Sequence, residues 1–307
     1  MIVGDMTTMN LCFDSLEGLS VGDALGAQFF VPGTSLDGLR EGHLPSAPWP
    51  WTDDTEMACV IVAELREHGD IDQDRLAVRF AAEFEPYRGY GAGAVVLLRR
   101  IRDGASWRDV APAAFGGTGS MGNGAAMRVA PLGAFHAGAS HRAAAQAMLS
   151  AEVTHAHPEA VLGAVAVAVA AAEVGWARTT GHRPQPEELM DAVLPFLVDS
   201  RVASGIARAR SLVGAGVAEA VYELGNGSQV LAFDTVPFAI WTAATWLDDY
   251  PAAIQACLEA GGDVDTTAAI VGGIVGAYAG TGPSGIPAEW RRCREPLPDG
   301  LLPTLAE

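Results

Sequence analysis

The sequence predicts an all-α fold in one compact domain. Apolar residues recur at helical spacing along most of the 307 residues, convincing strands are scarce, and Gly and Pro clusters separate one helical stretch from the next. No linker of biased composition divides the chain, and no 20–50-residue repeat is evident. We therefore expect a single domain over residues 1–307 rather than two smaller ones.

The helical stretches can be justified in chain order. Residues 52–66 carry apolar side chains at helical spacing behind a Thr/Asp start suited to N-capping. The stretch 158–177 begins with Pro158, a residue type favoured in the first helical turn. The same spacing predicts helices at 92–102, 125–135, 140–151, 186–199, 201–214, 234–247, 250–260 and 265–279. Gly and Pro clusters predict loops at 32–50, 115–124 and 281–287.

Composition and charge exclude several classes of protein. Lys and Arg number 19 against 37 Asp and Glu, a formal charge of −18, so we expect no nucleic-acid surface and no attraction to anionic lipid. Four distant cysteines without a CxxC motif predict reduced thiols in a cytoplasmic protein. Residues 1–5 do not resemble a signal peptide, and apolar runs such as 161–172 are too short and Ala-rich to predict a membrane span.

Two acidic segments at predicted helix starts are the most informative feature. Thr-Asp-Asp-Thr occupies residues 52–55, and Gly-Gly-Asp-Val-Asp-Thr-Thr occupies residues 261–267. Alone, the first would be an N-cap with a favourable first-turn acid. The repetition of paired acids and hydroxyls changes this interpretation, because four carboxylates brought together require cations. Hard oxygen donors without cysteine predict two divalent cations, Mg²⁺ or Mn²⁺.

A glycine-rich segment at 116–124 precedes a predicted helix. Gly117, Gly119 and Gly122 match GxGxxG, but no convincing strand precedes them and no acid follows about 20 residues later, so a dinucleotide fold is disfavoured. Two interpretations stay open: an anion cradle built from bare N–H groups, or a flexible connector. His155 and His157 flank Ala156; a zinc site there is disfavoured, and hydrogen bonding to backbone or substrate is the better interpretation.

Five motifs in order resemble the ADP-ribosylglycohydrolase family over about residues 13–280. They are Gly-Asp-Ala-Leu-Gly at 22–26, Thr-Asp-Asp-Thr at 52–55, Gly-Asn-Gly-Ala-Ala-Met-Arg at 122–128, Thr-His at 154–155 and Asp-Val-Asp-Thr at 263–266. The resemblance implies an orthogonal helical bundle with a binuclear Mg²⁺ or Mn²⁺ centre. It also implies hydrolysis of the bond at C1″ of the distal ribose, which releases ADP-ribose from an acceptor.

The resemblance also implies residue roles. Asp54 and Asp265 would be catalytic, and Asp23 would support the site or serve structurally. The implied metal ligands are Thr52, Asp53, Asp54, Asp263, Asp265 and Thr266. The implied substrate-binding residues are Gly119, Ser120, Met121, Gly122, Asn123 and His155, the first five as a loop that holds the diphosphate.

Two departures from the family pattern leave the general base open. Phe30 stands where some members carry Glu, and Gly89-Tyr90-Gly91 stands where bacterial arginine-type members tend to have Asp-x-Gly. Glu83 or Glu85 could substitute, although a surface role is the simpler interpretation. The alternatives are a non-catalytic ADP-ribose-binding or crystallin-like structural member, and another binuclear hydrolase acting on a phosphoester.

Overall fold

Sixteen α-helices and no β-sheet make up residues 6–299, the part of the chain that this computed structural model describes. The prediction about residues 1–5 lies outside this range. The helices are α1 Met6–Gln28, α2 Leu36–Arg40, α3 Asp53–His68, α4 Gln73–Glu83, α5 Ala92–Arg102, α6 Trp107–Gly117, α7 Ala130–Phe135, α8 Ser140–Glu152, α9 Pro158–Thr180, α10 Pro186–Val193, α11 Arg201–Arg210, α12 Val217–Leu224, α13 Ala232–Thr245, α14 Tyr250–Ala260, α15 Val264–Ala279 and α16 Ala288–Cys293. The all-α prediction is confirmed.

Helices α1 and α15 lie in backbone contact at the centre of the fold. A Cβ at Gly22 would overlap the carbonyl group of Ala268, and a Cβ at Gly26 would lie 2.7 Å from the Cα of Asp265. Real Cβ atoms do not approach so closely, so only glycine permits this packing. The hydroxyl of Ser15 donates to the carbonyl of Gly273 (2.8 Å) and ties the two helices further. This contact brings the start of α15 beside the interior of α1.

Helix α9 is the second central element. Pro158 occupies its first turn as predicted, and the Nδ1 atom of His157 caps it by accepting from the N–H of Glu159 (3.1 Å). The helix is longer than the sequence suggested: it has 23 residues and is apolar enough to cross a membrane by length and composition alone. Most of it is buried inside the protein, as in the core helix of a globular protein.

Most predicted helices are present, but several predictions need correction. The predicted helix 201–214 ends at Arg210, the predicted loop at 32–50 contains α2, and α4, α6, α12 and α16 were not predicted. The stretch 125–135 is a 3₁₀ turn, Asn123–Ala125, followed by the short α7, so no long helix follows the glycine-rich segment. The stretch 186–199 is not one helix: α10 ends at Val193, and a 3₁₀ turn, Leu194–Phe196, follows it. Helix α1 was not predicted, because it is buried almost all round and therefore lacks an amphipathic pattern. The single-domain assignment stays a prediction.

Candidate functional site

The N-terminus of α3 is anchored to α1 through Asp23. The backbone N–H and the hydroxyl of Thr52 donate to this buried carboxylate (2.9 and 2.8 Å), and those of Thr55 donate to it as well (3.2 and 2.5 Å). The bonds satisfy first-turn donors that have no partner within the helix. Asp23 therefore fixes the position of the two following carboxylates, Asp53 and Asp54, in agreement with the supporting role implied by the sequence.

Carboxylates from three helices converge beside this anchor. Oxygen atoms of Asp23, Asp54 and Asp265 lie within 4.8 Å of one another. Thr52 Oγ1 lies 3.0 Å from Asp54 Oδ2, whereas Asp54 Oδ1 is buried and has no hydrogen-bond partner within residues 6–299. A buried carboxylate oxygen without a donor is costly unless a cation meets it. The donors are all oxygen, and this donor set suits Mg²⁺ or Mn²⁺.

The ionisation of these carboxylates reflects their crowding. Burial raises the pKa of Asp23 to about 6, although the hydrogen bonds from Thr52 and Thr55 oppose that shift. Burial, together with the charges of Asp23 and Asp263, raises the pKa of Asp53 to about 7. The pKa values of Asp54 and Asp265 are also raised well above the ordinary range by burial and by the neighbouring carboxylates. Positive charge placed among these groups would lower all four pKa values.

The start of α15 supplies the other half of the cluster. The N–H of Asp263 donates to the carbonyl of Asn226 (3.2 Å), and its carboxylate accepts from the Nδ2 group of Asn123 (2.7 Å). Asp265 Oδ1 accepts from the N–H of Thr266 (2.9 Å). Gly261 and Gly262 both have positive φ, as the turn into this helix requires. We call Asp23, Asp53, Asp54, Asp263 and Asp265 the acidic cluster.

The glycine loop (residues 116–124) is fixed by backbone hydrogen bonds and lies against His155. The N–H of Ala232 donates to the carbonyl of Met121 (3.0 Å), and the N–H of His157 donates to the carbonyl of Ser120 (3.3 Å). The imidazole of His155 lies under Gly124, where a Cβ would come within 3.0 Å of its Nε2 atom. A Cβ at this position would make a tight contact to which the ring would have to yield.

The acidic cluster other than Asp23, the glycine loop from Gly119 onward, and His155 line one cavity of about 730 Å³. The sequence-predicted site residues on its wall are Asp53, Asp54, Gly119, Ser120, Met121, Gly122, Asn123, His155, Asp263, Asp265 and Thr266. The remaining residue, Thr52, does not line the cavity itself, but its Oγ1 atom contacts Asp54, which does. The structure thus brings together all the predicted residues, whose individual roles stay predictions.

Phe115 and Val230 also line the cavity, although nothing in the sequence indicated either. Their side chains are 68% and 55% exposed, and both residues have positive φ (52° and 57°). Strained backbone at non-glycine residues is typical of ligand-binding sites. Their sequence signal is weak, since a lone apolar residue in a predicted loop gives no indication of its φ angle.

Of the positions considered for a substitute base, Glu83, Glu85 and Phe30 lie away from the cavity, and Gly89 lies on its wall. Glu83 and Glu85 line a different pocket, beside Arg88, so they do not face the acidic cluster. Phe30 is 58% exposed and does not line the cavity. Gly89 does line it, and a Cβ there would lie 3.5 Å from Asp53 Oδ1.

The fold and the cavity define an all-α protein with a carboxylate-rich ligand site closed by a glycine loop. The sequence model of the ADP-ribosylglycohydrolase family matches residues 7–307, and the chain belongs to that family. ADP-ribosylhydrolase ARH3 of Mus musculus is 33% identical to it, over 91% of this chain and 86% of the relative. ADP-ribosylarginine hydrolase Tri1 of Serratia proteamaculans is 26% identical, over 94% and 76%.

A solved structure supports the same assignment. An ADP-ribosylglycohydrolase-related protein complex matches with a TM-score of 0.63 and 26% identity, over 94% of each chain. The relatives named above are hydrolases, so family membership supports a glycohydrolase activity for this chain.

Proposed function

We propose that this protein is a metal-dependent hydrolase that cleaves the N- or O-glycosidic bond at C1″ of ADP-ribose. Its product would be ADP-ribose, released from a modified protein or from a small acceptor. The observation that carries the proposal is that one cavity joins the acidic cluster to the glycine loop and His155. A ligand in this cavity would meet carboxylates at one end and the glycine loop at the other.

The acidic cluster would hold two divalent cations, Mg²⁺ or Mn²⁺. Asp53, Asp54 and Asp265 would be ligands, with Asp263, Thr52 and Thr266 completing the set. The buried, unpartnered Oδ1 of Asp54 supports this assignment. When bound, the ions would supply positive charge that orients ribose hydroxyls and polarises a water molecule.

Residues of the chain itself would bind the rest of the substrate. The glycine loop would hold the diphosphate chiefly through the backbone N–H groups of Ser120 and Met121, because those of Gly119, Gly122 and Asn123 already donate within the protein. His155 would donate to the same part of the ligand. The exposed ring of Phe115 would offer a stacking face for the adenine base. Asp54 and Asp265 would stabilise the positive charge that develops on the sugar.

A second candidate function is ADP-ribose binding without turnover. The absence of a side chain at Gly89, beside Asp53, favours it, because no further acid faces the cavity from this position. Calorimetry with ADP-ribose and an assay of hydrolysis distinguish the two candidates. Tight binding without cleavage of any arginine, serine or small-molecule linkage would favour the second.

The test of the first candidate is the release of free ADP-ribose in the presence of Mg²⁺ or Mn²⁺. The variants are Asp54→Asn and Asp265→Asn, and the matched control is Asp191→Asn, an exposed acid paired with Arg210. We expect each site variant to lose at least about a hundredfold in activity, since each removes a carboxylate from the reacting end of the cavity. Unchanged activity in both site variants would overturn the proposal.

A cytoplasmic location is part of the same proposal. The four cysteines are free thiols, and three of them (Cys12, Cys59 and Cys257) are buried. Burial raises the pKa of each of these three thiols and so keeps them unreactive. Fractionation of cells with an antibody against the protein would test the location.

A further inference from the structure

Arg128 is a fully buried cation on the cavity wall that none of the roles above uses. Its Nη2 group donates to the carbonyl of Ser150 (2.8 Å) and to the hydroxyl oxygen of Thr154 (2.9 Å). Within residues 6–299 it forms no ion pair, and its buried Nε atom has no hydrogen-bond partner. A buried guanidinium held by neutral acceptors is costly, so its contacts call for an explanation.

The contact with Thr154 determines where that residue's hydroxyl proton goes. Arginine has no acceptor, so Thr154 Oγ1 must accept from Arg128. The same oxygen lies 2.7 Å from His155 Nδ1. If Nδ1 carried a proton and donated it, the hydroxyl proton of the buried Thr154 would lack an acceptor among the residues that the structure describes. All the hydrogen-bonding groups are therefore satisfied when Arg128 donates to Thr154 Oγ1 and the hydroxyl of Thr154 donates to His155 Nδ1.

This arrangement fixes the remaining imidazole nitrogen. Burial, followed by the charge of Arg128, lowers the pKa of His155 to about 3, so the ring is neutral and carries one proton. With Nδ1 accepting, the proton lies on Nε2. Nε2 lies near Gly122 and Gly124 of the glycine loop and makes no hydrogen bond to residues 6–299. It is a free donor at the wall of the cavity.

We propose that Arg128 and Thr154 are positioning residues that hold His155 as its Nε2–H tautomer, so that the ring donates a hydrogen bond to the bound ligand. The direction of donation matters because a ring with an unprotonated Nε2 would present a lone pair to an anionic or hydroxyl-rich ligand. The identity of that ligand as ADP-ribose rests on the proposed function. The tautomer of His155 in the free protein does not depend on the proposed function.

The test combines the tautomer with ligand affinity. Long-range ¹H–¹⁵N spectra of protein labelled at histidine report which ring nitrogen is protonated, and a His155→Gln spectrum identifies the signals of His155. Thr154→Val removes the donor to Nδ1, and Thr154→Ser keeps it. Thr242→Val is the matched control, because Thr242 is also fully buried but its hydroxyl has no partner within the described residues.

We expect the free wild-type protein to show Nε2–H, and Thr154→Val to lose this preference. We expect Thr154→Val to bind ADP-ribose about tenfold or more weakly, as for the loss of one hydrogen bond to a charged ligand. Thr154→Ser should restore both readouts, and Thr242→Val should leave both as in the wild type. If Thr154→Ser restores the tautomer and the affinity, the effect of Thr154→Val comes from the lost hydroxyl and not from a general loss of packing.

Three results would overturn the inference. They are a proton on Nδ1 in the wild type, an unaltered tautomer in Thr154→Val, and an altered tautomer with unchanged ADP-ribose affinity. If the wild type fails to bind ADP-ribose at all, the proposed function is wrong, and the tautomer of the free protein still decides between the two arrangements of the hydroxyl proton.

Discussion

Asp23 accepts two hydrogen bonds from Thr52, one from its backbone N–H (2.9 Å) and one from its hydroxyl (2.8 Å). A carboxylate in the interior of α1 thus serves as the N-terminal partner of α3. The geometry resembles an N-cap, but the capping group comes from a helix elsewhere in the chain. The position of the acidic cluster therefore depends on the packing of α1 and not only on the local sequence at residues 52–55.

The anchor predicts an effect of Thr55→Val. The hydroxyl of Thr55 is buried and donates to Asp23 (2.5 Å). Its removal should lower the free energy of unfolding by about 1.5–3 kcal/mol, the range for a hydrogen bond to a charged group. The loss should be larger above about pH 6, because burial raises the pKa of Asp23 to about 6 and the bond is strongest when Asp23 is ionised.

Urea unfolding at two pH values would measure this effect. Thr55→Ser retains the hydroxyl and is the control, since it should recover most of the lost stability. An equal loss in the serine and valine variants would show that the methyl group, and not the hydroxyl, matters.

The crowding of carboxylates predicts that the metal-free protein is less stable at higher pH. The pKa values of Asp23 and Asp53 rise from 3.8 in the unfolded chain to about 6 and about 7 in the fold. Because folding favours their protonated forms, the associated stability is complete below about pH 4 and is lost as the pH rises through about 6 to 7. We expect the free energy of unfolding to fall by about 4 kcal/mol between about pH 5 and pH 8.

Denaturation in the presence of a chelator would measure this pH dependence. Asp53→Asn should flatten it, whereas the exposed control Asp191→Asn should leave the slope as in the wild type. Mn²⁺ added at about a hundredfold above its Kd should recover about 2.7 kcal/mol at pH 8. A stability that stays constant or increases over this pH range would contradict the account of the cluster.

The close packing of α1 on α15 predicts that Gly26→Ala weakens metal binding. The added Cβ would lie 2.7 Å from the Cα of Asp265, which must move away. We expect a loss of about 1–3 kcal/mol in stability, as in other overpacked cores, and a decrease of about tenfold or more in Mn²⁺ affinity. Calorimetry and urea unfolding would measure the two effects.

The control for this change is Gly282→Ala. A Cβ at Gly282 would have an ordinary contact, 3.7 Å from the carbonyl oxygen of Ala279, so stability and Mn²⁺ affinity should change little. If Gly26→Ala bound Mn²⁺ as well as this control does, the helix contact would not determine the position of Asp265.

The strained backbone at Phe115 predicts opposite effects on stability and binding. Phe115→Asn places a residue that tolerates positive φ at this position, where φ is 52°. We expect stability to be unchanged or to increase by up to about 1 kcal/mol. Affinity for ADP-ribose should decrease about tenfold, because the stacking face for the base is lost.

Thermal unfolding and calorimetry would test this pair of effects. Val78→Asn is a suitable control, since Val78 is also largely exposed but does not line the cavity. It should not change ADP-ribose affinity. An affinity in Phe115→Asn equal to that of the wild type would exclude a contribution of the ring to binding.

The sequence predicted the two acidic segments well because each combines paired acids with a helix start, a pattern that is local and chemically unusual. Their convergence, expected from the chemistry of paired acids, is confirmed by the proximity of Asp54 and Asp265. What brings them together, the glycines of α1 that allow α15 to approach, could not be predicted from the sequence. Helix α1 itself was missed, since a helix buried on all sides has no polar face to mark its period.

The glycine loop shows a different limit of sequence reasoning. The pattern left open an anion cradle or a flexible connector before a helix, and the structure shows a loop fixed by backbone hydrogen bonds from Ala232 and His157. These partners lie on segments that no short-range pattern relates to residues 116–124. The apolar wall was missed for the same reason: Phe115 and Val230 reach the cavity through unusual φ angles that side-chain type does not indicate.

The contact between α1 and α15 has a consequence during synthesis on the ribosome. Ser15 and Gly273, which join the two helices, are 258 residues apart in the chain. At about 5–20 residues per second, roughly 10 to 50 s pass between translation of the first helix and that of its partner. Throughout that interval the glycine-lined surface of α1 has no α15 to cover it, so the nascent chain exposes its central helix contact until its last large helix emerges.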